Sequence, residues 1–260
     1  MLRVLTFLAL FFNFVLFPFR IAAAETIEHR GVTFWIYKVD PGTTELEIHL
    51  SPKKGNPNKF LDLRERLRKK GREMVFATNA GIFEGNFLPT GLHVSEGKTI
   101  VPLNRDDFVK EREGQFTPNF YLKPNGVFLI DRNKRAVILE TSEYVNRSPK
   151  PVLASQSGPL LVQNEKIHPV LEENSTSERY RNGVGVTPDG KVIFACSILD
   201  REKGMINLYR FAELFRDRLG CPDALYLDGD ISYTFIRGVT PPLQDPNWFG
   251  GIFVVTESLP

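Results

Sequence analysis

Val184-Gly185-Val186-Thr187-Pro188-Asp189-Gly190-Lys191-Val192-Ile193-Phe194-Ala195 reads as two short apolar strands joined by a tight turn. Proline presets the turn, and aspartate and glycine tolerate the bend. The pattern recurs along the chain. Gly91 to Val94 and Lys98 to Val101 flank Glu96-Gly97, and Tyr121-Leu122 and Val127 to Ile130 flank Pro124-Asn125-Gly126. Each is predicted to be a hairpin. Further strands are expected at Phe34 to Val39, Glu45 to Leu50, Met74 to Ala77, Ala136 to Glu140, Ala224 to Leu227 and Ile252 to Val255.

Two segments follow helical spacing instead. Phe60, Leu63 and Leu67 share one face between Asn58 and Gly71, with Glu65 and Lys69 as an i,i+4 pair. Leu208, Phe211, Ala212, Phe215 and Leu219 form a second stripe, capped by Asn207 and stopped at Gly220. Hairpins in number with a few helices predict an α+β fold: a single domain with a large mixed or antiparallel sheet and two or three packed helices. Asn164 to Tyr180 is polar and reads as a surface loop over the site.

The N-terminus carries a compartment signal. Arg3 precedes an apolar run from Val4 to Phe19, and Ala22-Ala23-Ala24 offers small residues for cleavage. This order predicts a secretory signal peptide over residues 1–24 and a mature domain over 25–260, exported to the periplasm or beyond the cell. The run is short for a span of about 20 residues. Nothing later is apolar for long enough to cross a bilayer, so no membrane attachment is expected after cleavage. Without Arg3 and Arg20, basic and acidic residues balance at 31 each. Such a chain has no general field for nucleic acid, and an anionic ligand would be held by a few local arginines. Cys196 and Cys221 are the only cysteines. They fit no metal-ligand spacing; pairing and two buried free thiols both remain open.

Chemistry concentrates where strands end. Met74 to Ala77 runs into Thr78-Asn79-Ala80-Gly81, Val152 to Ala154 into Ser155-Gln156-Ser157-Gly158-Pro159, and Ala224 to Leu227 into Asp228-Gly229-Asp230. A polar side chain followed by glycine after a buried strand suits an ordinary turn, and it also suits a ligand that approaches the backbone closely. Three such ends point to a shared cleft.

These residues, with Arg181-Asn182-Gly183-Val184-Gly185, resemble the successive blocks of the phosphodiester glycosidase family, whose animal member removes N-acetylglucosamine from a phosphomannose diester. The resemblance spans roughly Gly71 to Ser232. It implies that Asn79, Gln156, Ser157, Gly158, Arg181, Asn182, Asp228 and Gly229 surround the site. Where the family commonly places a second glycine after the Asp-Gly pair, Asp230 stands here.

The resemblance implies hydrolysis of a sugar–O–phosphate bond in a phosphorylated glycan. Phosphate is already a weak base when it leaves, so the usual pair of carboxylates is not strictly required. Asp228 is then the expected nucleophile or base, and Arg181 the phosphate clamp. Asn79, Gln156 and Asn182 would orient the sugar, the Ser157 and Gly158 amides would cradle an oxyanion, and His168 would shuttle a proton. Gly229 and Asp230 would border the ligand. No cofactor is expected, although Asp228 with Asp230 could instead bind a divalent cation. Two other functions stay open: a non-catalytic glycan-binding or exopolysaccharide-related envelope protein, and a phosphodiesterase that breaks the P–O bond.

Overall fold

The structure is a computed structural model that describes residues 24–259. The predicted signal peptide, apart from Ala24, lies outside the described residues. Along the chain run β1 (Ala24–His29), β2 (Val32–Val39), β3 (Glu47–His49), α1 (Phe60–Arg68), β4 (Arg72–Asn79), β5 (His93–Ser95) and β6 (Lys98–Val101). There follow β7 (Gly126–Asp131), β8 (Ala136–Glu140), α2 (Thr141–Arg147), β9 (Pro151–Ser157), β10 (Leu160–Gln163) and β11 (Lys166–Ile167). The last elements are β12 (Asn182–Val186), β13 (Val192–Ser197), α3 (Leu208–Glu213), β14 (Asp223–Asp228), β15 (Thr234–Ile236) and β16 (Ile252–Ser258).

The fold is α+β, as expected. Its strands divide among three sheets: β1-β2-β13-β12-β14-β10-β11, β6-β5-β9-β7-β8 and β15-β4-β16-β3. Neighbouring strands within them pair antiparallel. The seven-stranded sheet is buried on both faces. Phe34, Ile36, Ile193 and Tyr226 face Phe211 and Phe215 of the helical segment, while Tyr37, Val184, Phe194 and Leu225 face the other two sheets. This alternation follows from the two-residue period of a strand.

Aromatic rings knit the sheets together. Tyr37 stacks on Phe76 at 4.0 Å, Phe194 meets Phe253 at 5.3 Å, and Phe128 meets Phe253 edge-on at 5.8 Å. Such pairs contribute about 0.5–1.5 kcal/mol each beyond the area they bury. Glycine lets the helical layer close in, since a Cβ on Gly185 would stand 2.6 Å from Cys221 Sγ and 2.7 Å from Phe215. Cys196 and Cys221 are both buried free thiols.

The predicted helices form at α1 and α3, the latter continuing as a π-helical turn over Leu214–Arg218 before Gly220 ends it at φ +63°. Asn207 accepts from the Arg210 amide, as its capping role requires. The hairpins around Glu96-Gly97 and Pro188-Asp189-Gly190 also form.

The hairpin expected around Pro124-Asn125-Gly126 does not form. Asn119–Tyr121 is a single 3-10 turn, and β7 pairs with β8 and β9 instead. Asn125 explains the difference: its amide donates to the Phe120 carbonyl at 2.8 Å and its Oδ1 accepts from Thr141 at 2.7 Å. Those local bonds hold the approach as coil. The segment Asn164 to Tyr180 is mostly irregular but opens with a hairpin, because Asn164 and Glu165 both take positive φ and return β11 onto β10. No helix among the described residues is long and apolar enough to cross a membrane.

Candidate active site

The three sheets end at one place. β4 of the four-stranded sheet ends at Asn79, β9 of the five-stranded sheet at Ser157, and β14 of the seven-stranded sheet at Asp228. Asn182, the first residue of β12, is the register partner of Asp228, and a bulge follows it, because Gly183 pairs with Tyr226. The bulge leaves Leu227 with a free carbonyl, which accepts from Ser157 Oγ at 3.2 Å. One hydroxyl thus ties two sheets together.

Amides join the third. Asn182 Nδ2 lies 2.8 Å from the Asn79 carbonyl and 3.0 Å from both Asn79 Oδ1 and Thr78 Oγ1. Asn79 Oδ1 also accepts from the Tyr233 amide at 2.9 Å, which fixes the orientation of its side chain. The remaining end of Asn79, Nδ2, donates to Asp228 Oδ2 at 3.3 Å, and the Gly229 amide donates to Asp228 Oδ1 at 2.7 Å. Burial pushes the Asp228 carboxyl up to about 7, and the Asp230 charge adds to the effect. The Gly229 amide, Asn79 and Arg181 pull the other way without cancelling it. A carboxyl poised near neutrality can take or give a proton at working pH.

Arg181 stands beside it, buried and held at each of its three nitrogens. Nε donates to the Ile206 carbonyl at 3.1 Å, Nη1 to Tyr226 Oη at 3.1 Å and Nη2 to the Ser177 carbonyl at 2.8 Å. Three of the five N–H donors of a guanidinium are thereby committed. Its cation also lies 5.5 Å from the centre of the Tyr226 ring. Glycine is required at 229 by contact, since a Cβ there would stand 2.6 Å from Tyr226 Oη and 3.7 Å from Arg181 Nη1.

Asp228, Gly229, Asp230, Arg181, Arg179 and Tyr226 line a cavity of about 560 Å³. That volume suits a small ligand. Val170, Leu171, Glu172, Ser175 and Ser177 form part of its wall, and on its exposed side Arg179 Nε meets Asp230 Oδ2 at 3.2 Å.

The other predicted residues stand elsewhere. Gln156 is spent on the backbone: Oε1 accepts from the Leu92 and Asn104 amides, and Nε2 donates to the Asn104 carbonyl and to Thr141. Ser157 braces Leu227 from behind, and Gly158 makes room for Asn125, whose Cβ a side chain would meet at 2.6 Å. His168 is buried and is not part of the cavity wall. Its Nδ1 accepts from the Val170 amide at 3.1 Å, and burial lowers its pKa despite the facing Lys123 and Pro124 carbonyls. Asn79 and Asn182 support Asp228 from directly behind the cavity.

Arg179 and Tyr226 were missed. Tyr226 sits inside an apolar strand and reads as core; Arg179 sits in a polar loop. Spacing held one clue, because two arginines at i and i+2 share a side whenever the backbone is extended, and Arg179 does bridge Ile206. Among the described residues no three His, Cys, Asp or Glu side chains gather as a metal-ligand set. The Asp230 carboxylate is turned toward Arg179.

A carboxyl with raised pKa and two guanidinium groups thus share the wall of one cavity whose lining is mixed polar and apolar. The chain belongs to the phosphodiester glycosidase family, which it matches over residues 72–254. It is 29% identical over 238 residues to the uncharacterised protein YigE of Escherichia coli strain K12, covering 90% of this chain and 87% of that one. Its fold is similar to the catalytic domain of zebrafish N-acetylglucosamine-1-phosphodiester alpha-N-acetylglucosaminidase, solved in a form auto-inhibited by its pro-peptide. That TM-score is 0.61 at 15% identity, over 90% of this chain and 82% of the other. A hypothetical protein from Synechocystis aligns with a TM-score of 0.54 at 15% identity, over 90% of this chain and 61% of that one.

Proposed function

We propose that this protein is an exported hydrolase that cleaves the glycosyl–O bond of a sugar-1-phosphodiester in an envelope or extracellular phosphoglycan. The observation that carries the reading is Asp228, a half-buried residue whose carboxyl burial pushes up to about 7, at the wall of the same cavity as Arg181. Family membership supplies the reaction class. The apolar stretch after Arg3, with its following alanines, supplies the export expectation.

In this mechanism ionised Asp228 takes a proton from water as the water oxygen bonds to the anomeric carbon. The bond from that carbon to the phosphate oxygen breaks, and its electron pair leaves with the phosphate monoester. The leaving group is stable as an anion, so no second carboxyl has to protonate it. Asn79 and the Gly229 amide hold Asp228 by its two oxygens, while Arg181 offers its uncommitted N–H donors to the charge that develops. His168, Gln156, Ser157 and Gly158 take no part in this chemistry beyond holding the scaffold.

The test is the position of an oxygen label. The purified protein is given an N-acetylglucosamine-1-phosphate methyl diester in heavy-oxygen water. Label in the sugar supports attack at the anomeric carbon. Label in the phosphate identifies a P–O-cleaving phosphodiesterase and ends the glycosidase reading; binding without product leaves a glycan-binding protein.

A further inference from the structure

We propose that Arg179 is the residue that takes hold of the substrate phosphate, and that Asp230 is a latch that occupies Arg179 until a phosphate displaces it. The inference rests on the cavity being a sugar-1-phosphodiester site. It adds which cation captures the incoming phosphate, ahead of Arg181's contact with the leaving group, and why the chain carries aspartate after Gly229.

The two arginines of the cavity differ in freedom. Arg181 is fixed by the Ile206 and Ser177 carbonyls and by Tyr226 Oη, so its head group does not travel. Arg179 is anchored at its backbone, whose N–H donates to the Ile206 carbonyl at 3.2 Å and whose carbonyl accepts from the Ile206 amide at 3.0 Å. Its head group is not held in the same way. Nη1 donates to the Glu178 carbonyl at 2.7 Å and Nε faces Asp230 Oδ2 at 3.2 Å, with the two side chains 49% and 64% exposed. An ion pair this open to solvent is weak and exchanges readily.

A phosphate diester that enters the mouth presents two anionic oxygens to the planar fork that one Asp230 oxygen now occupies. Arginine favours such a bidentate partner. Arg179 therefore changes partner, and Asp230 swings free toward solvent. A neutral glycoside carries no charge to draw Arg179 from Asp230, so it gains nothing from the exchange that a phosphate gains. The latch selects for phosphorylated ligands before any chemistry occurs.

Calorimetric titration with inorganic phosphate and with a sugar 1-phosphate tests this without any turnover. Asp230→Asn is expected to bind both about two- to fivefold more tightly than the wild type, and Arg179→Ala at least about tenfold more weakly. Arg179→Lys should fall between the wild type and Arg179→Ala. The double variant should match Arg179→Ala, because the latch acts only through Arg179. Asp230→Asn binding no tighter than wild type, Arg179→Ala binding as well as wild type, or no phosphate binding by wild type and Asp230→Asn alike would each overturn the proposal. Because the readout is binding, a protein that binds in this order yet hydrolyses no sugar-1-phosphodiester would fail the functional reading while the latch stood.

Discussion

Asn79 Nδ2 donates to Asp228 Oδ2 at 3.3 Å across the junction of two sheets, the first residue ending β4 and the second ending β14. The bond joins residues 149 positions apart. Asn79 cannot turn away, because Asn182 and the Tyr233 amide hold its oxygen. The orientation of the candidate catalytic carboxylate is therefore set jointly by how the sheets meet and by the Gly229 amide that follows it.

The pH dependence of turnover should report this contact. Asp228 must be ionised to accept a proton from water, so kcat/KM should rise with pH through a midpoint near 7. Asn79 pulls that midpoint down, so Asn79→Ala should move it to higher pH in a protein that still melts cooperatively. A pH–rate profile of both proteins checks this; activity that falls through 7 would assign Asp228 the opposite role.

Gly229→Ala should be costly through contact, since the added methyl would lie 2.6 Å from Tyr226 Oη and would disturb the bond from Arg181. Overpacking of this kind costs about 1–3 kcal/mol, and turnover should drop with it. Gly85→Ala is the control, because a Cβ there meets nothing within 4 Å. Urea denaturation and rate measurements on the two variants should separate clearly.

Away from the site, Glu47 should control part of the acid stability. Burial opposes its ionisation, but hydrogen bonds from His49 and Arg72 outweigh burial and hold the carboxyl down to about 2. A folded-state pKa below the unfolded value means stability present above about 4.5 and lost as pH falls toward about 2. Glu47→Gln should cost roughly 1–3 kcal/mol at pH 7. The difference from wild type, followed by urea midpoint, should shrink across that acid window.

Both thiols should be silent in the native protein. Burial pushes Cys196 and Cys221 up to about 12, and the reactive species is the thiolate. Ellman's reagent should count two thiols only after denaturation; native reactivity would place a sulfur at the surface.

Much of this site was legible because a buried strand that stops at Asn or Asp followed by glycine announces a polar strand end. Asn79 and Asp228 were found this way. Gln156, Ser157 and Gly158 carry the same signal, yet the Gln156 amide satisfies backbone at Leu92 and Asn104, and Ser157 supports the Leu227 carbonyl. A sequence shows that an amide or hydroxyl is present but not whether it faces a ligand or a neighbouring strand. His168 stands in a polar segment yet is buried just after β11, where its amide donates to the Leu161 carbonyl. Helix α2 escaped notice for a plain reason: none of its seven residues is fully buried, so no apolar stripe marks it. The division of the strands into three sheets depends on long-range pairing, for which the two-residue period carries no information.

The most direct measurement compares steady-state turnover of a sugar-1-phosphodiester by the wild type and by Asp228→Asn, with thermal melting and phosphate binding recorded on both. The account predicts release of sugar and phosphate monoester by the wild type. It predicts a kcat lower by about 10²–10⁴ in a variant that melts as a folded protein and still binds phosphate. Wild-type rates from Asp228→Asn, or no turnover by either protein, would contradict it.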